Sequence, residues 1–283
     1  MRLALLIALT MCAFAANSVL NRMAVDGGHA DAASFAMIRV LAGAAVLVLL
    51  ARAQRRPLPL APGRRRLTGA VSLAVYMVGF SVAYRSLDAG LGALILFGVV
   101  QITMFAAASL SGVPPGAQRI AGALIAFGGL AIVLNPLGAH HADLTGALFM
   151  IAAGIGWGIY SIAGRSEPDA LAATAANFCL ALPLTLLAPL LSGAELHADA
   201  GGVALAVVSG AVTSGLGYAL WYSLLPRLDA SVAAVLQLSV PVIAVVAGIL
   251  ILGETLSLRV IAGAVLVLGG IALSLPRRTT ARV

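Results

Sequence analysis

Apolar runs of about 18–23 residues, separated by short polar breaks, recur from one end of this chain to the other. Each is long enough to cross the ~30 Å hydrocarbon core of a bilayer as an α-helix. The runs cover residues 3–21, 32–51, 67–86, 89–110, 118–136, 144–164, 170–191, 201–224, 230–251 and 258–275. Most connections are under ten residues, which leaves no room for a soluble domain between spans. The pattern predicts an all-α membrane protein with ten transmembrane helices.

The runs are not independent. Residues 69–131 and 210–272 repeat one another at a constant offset of 141, without a gap. Gly69-Ala70-Val71 returns as Gly210-Ala211-Val212, and Leu87-Asp88-Ala89 as Leu228-Asp229-Ala230. Gly112 returns as Gly253, Gly122-Ala123 as Gly263-Ala264, and Gly128-Gly129 as Gly269-Gly270. The first run matches the sixth at a slightly different offset, with Phe14, Asn17, Ser18 and Arg22 against Trp157, Tyr160, Ser161 and Arg165. The chain therefore divides into two five-helix halves, 1–138 and 139–283. An odd number of spans per half puts the second copy into the membrane upside down, the arrangement of transporters with a substrate site between repeats.

Composition agrees with the membrane assignment: 61% of residues are hydrophobic and 10% charged, with a mean hydropathy of +1.07. A soluble domain of this length could not cover its surface with so few charges. The net charge of +7 comes entirely from arginine, and its placement argues against nucleic acid. With the N-terminus inside, Arg2, Arg52, Arg55, Arg56, Arg64, Arg65, Arg66, Arg119, Arg165, Arg227, Arg277, Arg278 and Arg282 all fall on the inner side. Only Arg22, Arg85 and Arg259 face outward, and Arg39 lies within a span. All four histidines and seven of the ten acids fall in outer loops. This positive-inside bias places both termini in the cytoplasm of a bacterial inner membrane. The six arginines of 52–66 read as a topology anchor on anionic lipid, and the equivalent loop at 192–200 carries none, as inversion requires.

Met1-Arg2 and the apolar run behind it resemble a secretory signal, but the match to the sixth run marks the segment as a retained helix. Cys12 and Cys179 lie inside spans without metal-ligand spacing and read as apolar filler. Gly154, Gly156 and Gly158 lack the preceding strand of a nucleotide-binding turn. No titratable pair sits at membrane depth. The pattern thus calls for no enzyme activity, cofactor or metal.

The end of each half and the short loops carry a family resemblance. Leu252-Gly253-Glu254-Thr255-Leu256-Ser257, followed by Ala262-Gly263-Ala264 and Gly269-Gly270, resembles the Gly-Glu junction and glycine-rich last helix of EamA-type transporters of the drug/metabolite superfamily. Pro226-Arg227-Leu228-Asp229-Ala230 is similar to that family's pattern before the ninth span. The resemblance covers essentially the whole chain. It departs at Val113, where the second half has Glu254. It implies a secondary transporter that works without ATP hydrolysis, often an exporter of amino acids, other metabolites or drug-like compounds.

Polar groups inside lipid are costly unless they face a partner or a wet cavity, so they mark the candidate site. Phe14, Asn17, Ser18 and Asn21 share one face of span one, and Trp157, Tyr160 and Ser161 the matching face of span six. Ser72, Tyr76 and Phe80 line span three; Ser214, Tyr218, Trp221 and Tyr222 line span eight. Gln101 and Gln237 are the strongest polar groups of spans four and nine.

The substrate-binding set is Asn17, Arg39, Tyr76, Gln101, Trp157, Tyr160, Tyr218, Trp221 and Gln237. Pro241, one turn after Gln237, bends span nine, and Glu254 stands at its outer end as a gate group. Arg39 either snorkels outward or pairs with another helix, or else it meets a substrate carboxylate or phosphate. Gly122, Gly128, Gly263 and Gly269 read as close-packing positions, and Tyr84 as part of an interfacial aromatic belt.

These features point to alternating access around a cavity between the halves, with a small-molecule solute and membrane lipid as partners. A flippase for a lipid-linked or amphipathic substrate is an alternative, as is a non-transporting sensor or partner subunit. A monomer and a homodimer fit the pattern equally.

Overall fold

The computed structural model describes residues 2–61, 63–110, 116–134, 143–165, 167–192, 195–228 and 236–274. Val113, His140, His141 and Asp229 lie outside these described residues. Five helices form the first half: α1 (Arg2–Val25), α2 (Ala32–Ala53), α3 (Arg64–Ala83), α4 (Ala89–Leu110) and α5 (Ala117–Leu134). The second half begins with α6 (Leu144–Gly164) and α7 (Ala170–Ser192). An eighth rod, α8, runs as α-helix over Ala200–Val207, as π-helix over Val208–Leu216 and as α-helix again over Gly217–Leu224. Helices α9 (Ser239–Leu252) and α10 (Leu258–Ser274) complete it. Seven of the described helices are long and apolar enough to cross a membrane, and three shorter apolar ones lie at Ile120–Leu134, Ser239–Leu252 and Leu258–Ser274.

Apolar side chains cover the outside of the bundle as well as filling its core. Leu5, Leu9, Leu49, Leu124, Leu250 and Val265 are exposed on the outside of the bundle. Asn17, Asn21, Arg39, Ser72 and Ser209 are buried inside it. A lipid solvent takes the apolar side chains, and polar groups must find partners within the protein.

Small residues set the helix crossings. A side chain on Gly129 would meet the Gly263 carbonyl at 2.8 Å, and one on Gly270 would meet the Gly122 carbonyl at 2.5 Å. Residue numbers rise along α5 as they fall along α10, so these two helices pack antiparallel. Gly128 and Gly269, expected to share this role, face open space instead. The crossing uses the second glycine of each pair, one position further around the helix. Helices α4 and α9 are also antiparallel, with Gly90 against Val245 and Ala89 against Gly248.

Loops from different halves meet at both ends of the bundle. At the arginine-poor end, the α1–α2 loop clasps the α7–α8 loop. The Asp31 N–H donates to the His197 carbonyl (2.9 Å), and the Asp199 N–H to the His29 carbonyl (2.9 Å). The Asp31 carboxylate caps α2 through Ala33 and Ser34 N–H and accepts from His197 N–H at 2.7 Å. Burial alone would raise the Asp31 pKa, but hydrogen bonds from Ser34, His197 and Ala33 outweigh it and hold the carboxyl below its ordinary range. At the arginine-rich end, Arg56 pairs with Asp169 at 2.8 Å, and Arg66 pairs with Glu167 and donates to Asn177 Oδ1 at 3.1 Å. Arg56 and Arg66 therefore serve protein contacts. Arg52, Arg55, Arg64 and Arg65 of the same run are exposed.

Candidate functional site

A small cavity lies within the bundle, lined by Phe14, Asn17 and Ser18 of α1, Tyr76 and Phe80 of α3, Leu96 and Phe97 of α4, Trp157 of α6 and Tyr218 of α8. Both halves contribute to its wall. Most of the wall is aromatic. Trp157 packs on Tyr76 (4.9 Å between ring centroids), on Tyr218 (5.1 Å) and on Tyr160 (5.4 Å). Phe14 meets Tyr218 edge-on at 5.7 Å and Trp221 at 6.0 Å. These are the offset and edge-to-face geometries that the ring quadrupole favours.

The Asn17 side chain of the wall is held from behind by the π-helical segment of α8. Ser209 and Thr213 donate to the Asn17 Oδ1 at 2.8 and 2.5 Å, and Ser214 approaches the same oxygen at 3.4 Å. Ser209 and Ser214 are five residues apart. An α-helix would point them in different directions, whereas the i→i+5 geometry of a π-helix stacks them on one face. The local widening is therefore what lets one carboxamide on α1 hold both hydroxyls.

Arg39 of α2 is fully buried. Its Nε donates to Ser214 Oγ at 3.1 Å and its Nη2 to the Tyr76 hydroxyl at 3.1 Å. The guanidinium carbon lies 5.0 Å from the Phe80 ring centroid and 5.4 Å from that of Tyr76. The side chain therefore points into the bundle and does not snorkel outward. It sits directly behind two residues of the cavity wall.

The structure thus brings Asn17, Tyr76, Trp157 and Tyr218 onto one cavity, with Arg39, Tyr160 and Trp221 in contact with that wall. Gln101 and Gln237 are partly exposed and lie outside the cavity lining. Pro241 occupies the first turn of α9, where a missing N–H costs nothing, and a turn at Leu238 separates that helix from Gln237. Tyr84, expected in an interfacial belt, is fully buried instead. It packs edge-on against Phe80 at 4.7 Å and donates to the Ala89 carbonyl at 3.3 Å.

Ser209 and Thr213 support the wall through Asn17 and lie off the face that Ser214, Tyr218 and Trp221 share at helical spacing. The signal that marks them is the short cluster Ser209, Thr213 and Ser214 in an otherwise apolar run.

Glu254 lies at the arginine-poor end. Gly253 adopts φ +69° and ends α9, turning Glu254 back toward α4. The Glu254 carboxylate accepts from the Ala89 N–H at 2.6 Å and lies 4.0 Å from Arg22 Nε. Arg22 also pairs with Asp26 at 3.0 Å and Asp88 at 3.7 Å. Burial pushes the Glu254 carboxyl above its ordinary pKa, and the nearby Asp88 adds to this, against the opposing pull of Ala89 N–H, Gly90 N–H and Arg22. Among the described residues no cluster of three or more His, Cys, Asp or Glu could hold a metal ion.

Comparison with known proteins completes the picture. The model of the EamA-like transporter family matches residues 1–135 and again 144–275. An uncharacterized protein of Pseudomonas aeruginosa is 47% identical over 98% of this chain and 96% of its own length. An "Uncharacterized transporter" of Archaeoglobus fulgidus is 30% identical over 57% of this chain and 58% of its own. A "Probable amino-acid metabolite efflux pump" of Salmonella typhimurium is 27% identical over 75% of this chain and 77% of its own. One solved structure covers 95% of this chain and 97% of its own with a TM-score of 0.67 at 21% identity, which shows a shared fold.

Proposed function

The chain belongs to the EamA-like transporter family, and from that premise we propose that it is a secondary transporter exporting a small organic solute across the bacterial inner membrane by alternating access. The observation that carries this reading is the aromatic cavity whose wall is drawn from both halves. A site shared between repeats changes its exposure when one half rocks against the other.

Three features support reading the halves as inverted repeats. The family model matches twice, once in each half. The α5–α10 and α4–α9 pairs are equivalents under the repeat, and both pack antiparallel. The loop clasp at one end (α1–α2 with α7–α8) has its repeat equivalent at the opposite end (α6–α7 with α2–α3). A parallel repeat would put equivalent clasps at the same end. Both termini lie in the cytoplasm in this reading, on the strength of the arginine distribution. Export is supported by the efflux name of the Salmonella relative, which describes that protein.

In this mechanism the rings of Trp157 and Tyr218 hold the body of the solute, and Asn17 and Tyr76 orient its polar end. The clasps at the two ends alternate in opening, so that one always seals the cavity. Flux of a radiolabelled solute in oriented proteoliposomes tests the reading. Tyr218→Ala and Trp157→Ala should depress flux at unchanged expression and orientation. Wild-type flux from both variants would refute the cavity as the transport site.

A further inference from the structure

We propose that the transported solute is an organic carboxylate, selected by Arg39 acting on the aromatic cavity. The inference rests on the reading of that cavity as the transport site, and it deepens that reading by naming the substrate class.

The argument begins with a comparison among the arginines of the bundle. Arg66, which is buried, has Glu167. Arg22, mostly buried, has Asp26, Asp88 and Glu254. Arg39 is the most deeply buried of the three, and no carboxylate among the described residues pairs with it. Its Nε and Nη2 donate to the neutral hydroxyls of Ser214 and Tyr76, and its Nη1 has no hydrogen-bond partner among the described residues. A guanidinium withdrawn from water without a counter-charge is costly. A chain that supplies an acid to its other sequestered arginines, and leaves this one beside a cavity without one, leaves room for the ligand to bring the anion.

The geometry directs that charge at the cavity. Tyr76 and Phe80, the two rings under the guanidinium, are both cavity wall. The Tyr76 hydroxyl accepts from Nη2 and still has its own proton to donate. A hydroxyl polarised by a cation is the stronger donor for it. Asn17, also in the wall, is linked to Arg39 through Ser214. The described wall contains no acid, so an ammonium group would find no ionic partner there. Its remaining surface is aromatic or aliphatic and suits an apolar body.

The charge is one-sided: the described cavity wall contains no other cation and no acid.

Three probes with one body and three charges test the proposal on the purified full-length protein: 3-phenylpropanoate, 3-phenylpropanamide and 3-phenylpropylamine, titrated by thermal shift at pH 7.5. The carboxylate should bind at least about tenfold more tightly than the amide, the scale of a charge-assisted contact, and the amine should not compete. Arg39→Gln should bring acid and amide to equal affinity, and Arg39→Lys should keep the preference for the acid. If Arg39→Gln fails to fold, the wild-type ratio and Arg39→Lys decide the matter. Equal binding of acid and amide, preference for the amine, or an unchanged ratio in Arg39→Gln would each overturn the proposal. Absence of binding by all three also overturns it. The transport reading would then still stand or fall on the flux of the Trp157 and Tyr218 variants.

Discussion

The carboxamide of Asn17 accepts a 2.8 Å hydrogen bond from Ser209, tying the first helix to the π-helical segment of the eighth. The bond crosses between the halves at the cavity wall. In the proposed mechanism it would couple the cavity to the contact that shifts when one half moves against the other.

Asn17→Ala removes the shared acceptor and leaves Ser209 and Thr213 to compete for backbone carbonyls. Hydrogen bonds between membrane helices average about 0.6 kcal/mol, because the alternatives also find partners. Two lost bonds should therefore lower stability by about 1 kcal/mol, read as a lower Tm in detergent. Asn17→Asp keeps the acceptor and also places an anion one hydroxyl away from Arg39. It should bind carboxylate probes more weakly than wild type while unfolding at a similar temperature.

The α5–α10 crossing predicts opposite outcomes for adjacent glycines. Gly129→Ala and Gly270→Ala drive a methyl into the backbone of the facing helix, and overpacking of this kind costs about 1–3 kcal/mol. Gly128→Ala and Gly269→Ala meet open space and gain about 0.5–1 kcal/mol of helix propensity. Thermal unfolding of the four variants checks this. A uniform response would show that the crossing is not built on Gly129 and Gly270.

Glu254 gives a pH dependence of definite sign. Its folded pKa lies above the unfolded value, so the folded state holds the proton more tightly. The group's contribution is therefore greatest below its ordinary pKa of 4.5 and declines as pH rises through the shifted value. Glu254→Gln still accepts from the Ala89 N–H without the cost of a buried charge. It should flatten the dependence of Tm on pH above 4.5 and raise Tm at neutral pH. Glu254→Ala leaves that N–H without its acceptor and should lower stability by about 1 kcal/mol, read as a lower Tm. A glutamine variant less stable than the alanine variant would contradict the assignment.

The ring cluster predicts a loss of affinity more than of turnover. An aromatic contact is worth about 0.5–1.5 kcal/mol beyond its buried area. Trp157→Ala touches three other rings and should raise KM for flux by roughly tenfold. Trp221→Ala stands further from the cavity and should have the smaller effect. The reverse order would place the solute nearer the end of α8.

The all-helical architecture and most helix boundaries, to within a few residues, were legible in the sequence alone; the ninth helix starts at Ser239, later than the run at 230–251 suggested. Length and hydropathy are local properties, and a bilayer enforces them span by span. The aromatic faces of spans one, three, six and eight were legible for a related reason: polar and ring-bearing residues at helical spacing leave few directions to point except inward. Which glycine of a pair packs, and whether Arg39 turns outward or inward, depends on a neighbouring helix, so periodicity cannot decide either. Ser209 and Thr213 went unseen because the π-helix changes the spacing from which a face is read. Gln101 and Gln237 were singled out by polarity, which does not tell whether a helix turns that position toward the cavity, and neither is among its lining residues. The sequence by itself determined that this chain is a bundle of apolar helices for a membrane, because the solvent acts on each segment separately. Only the tertiary structure decided that a buried cation stands behind the cavity with no carboxylate paired to it among the described residues, because a counter-charge is a relation between helices.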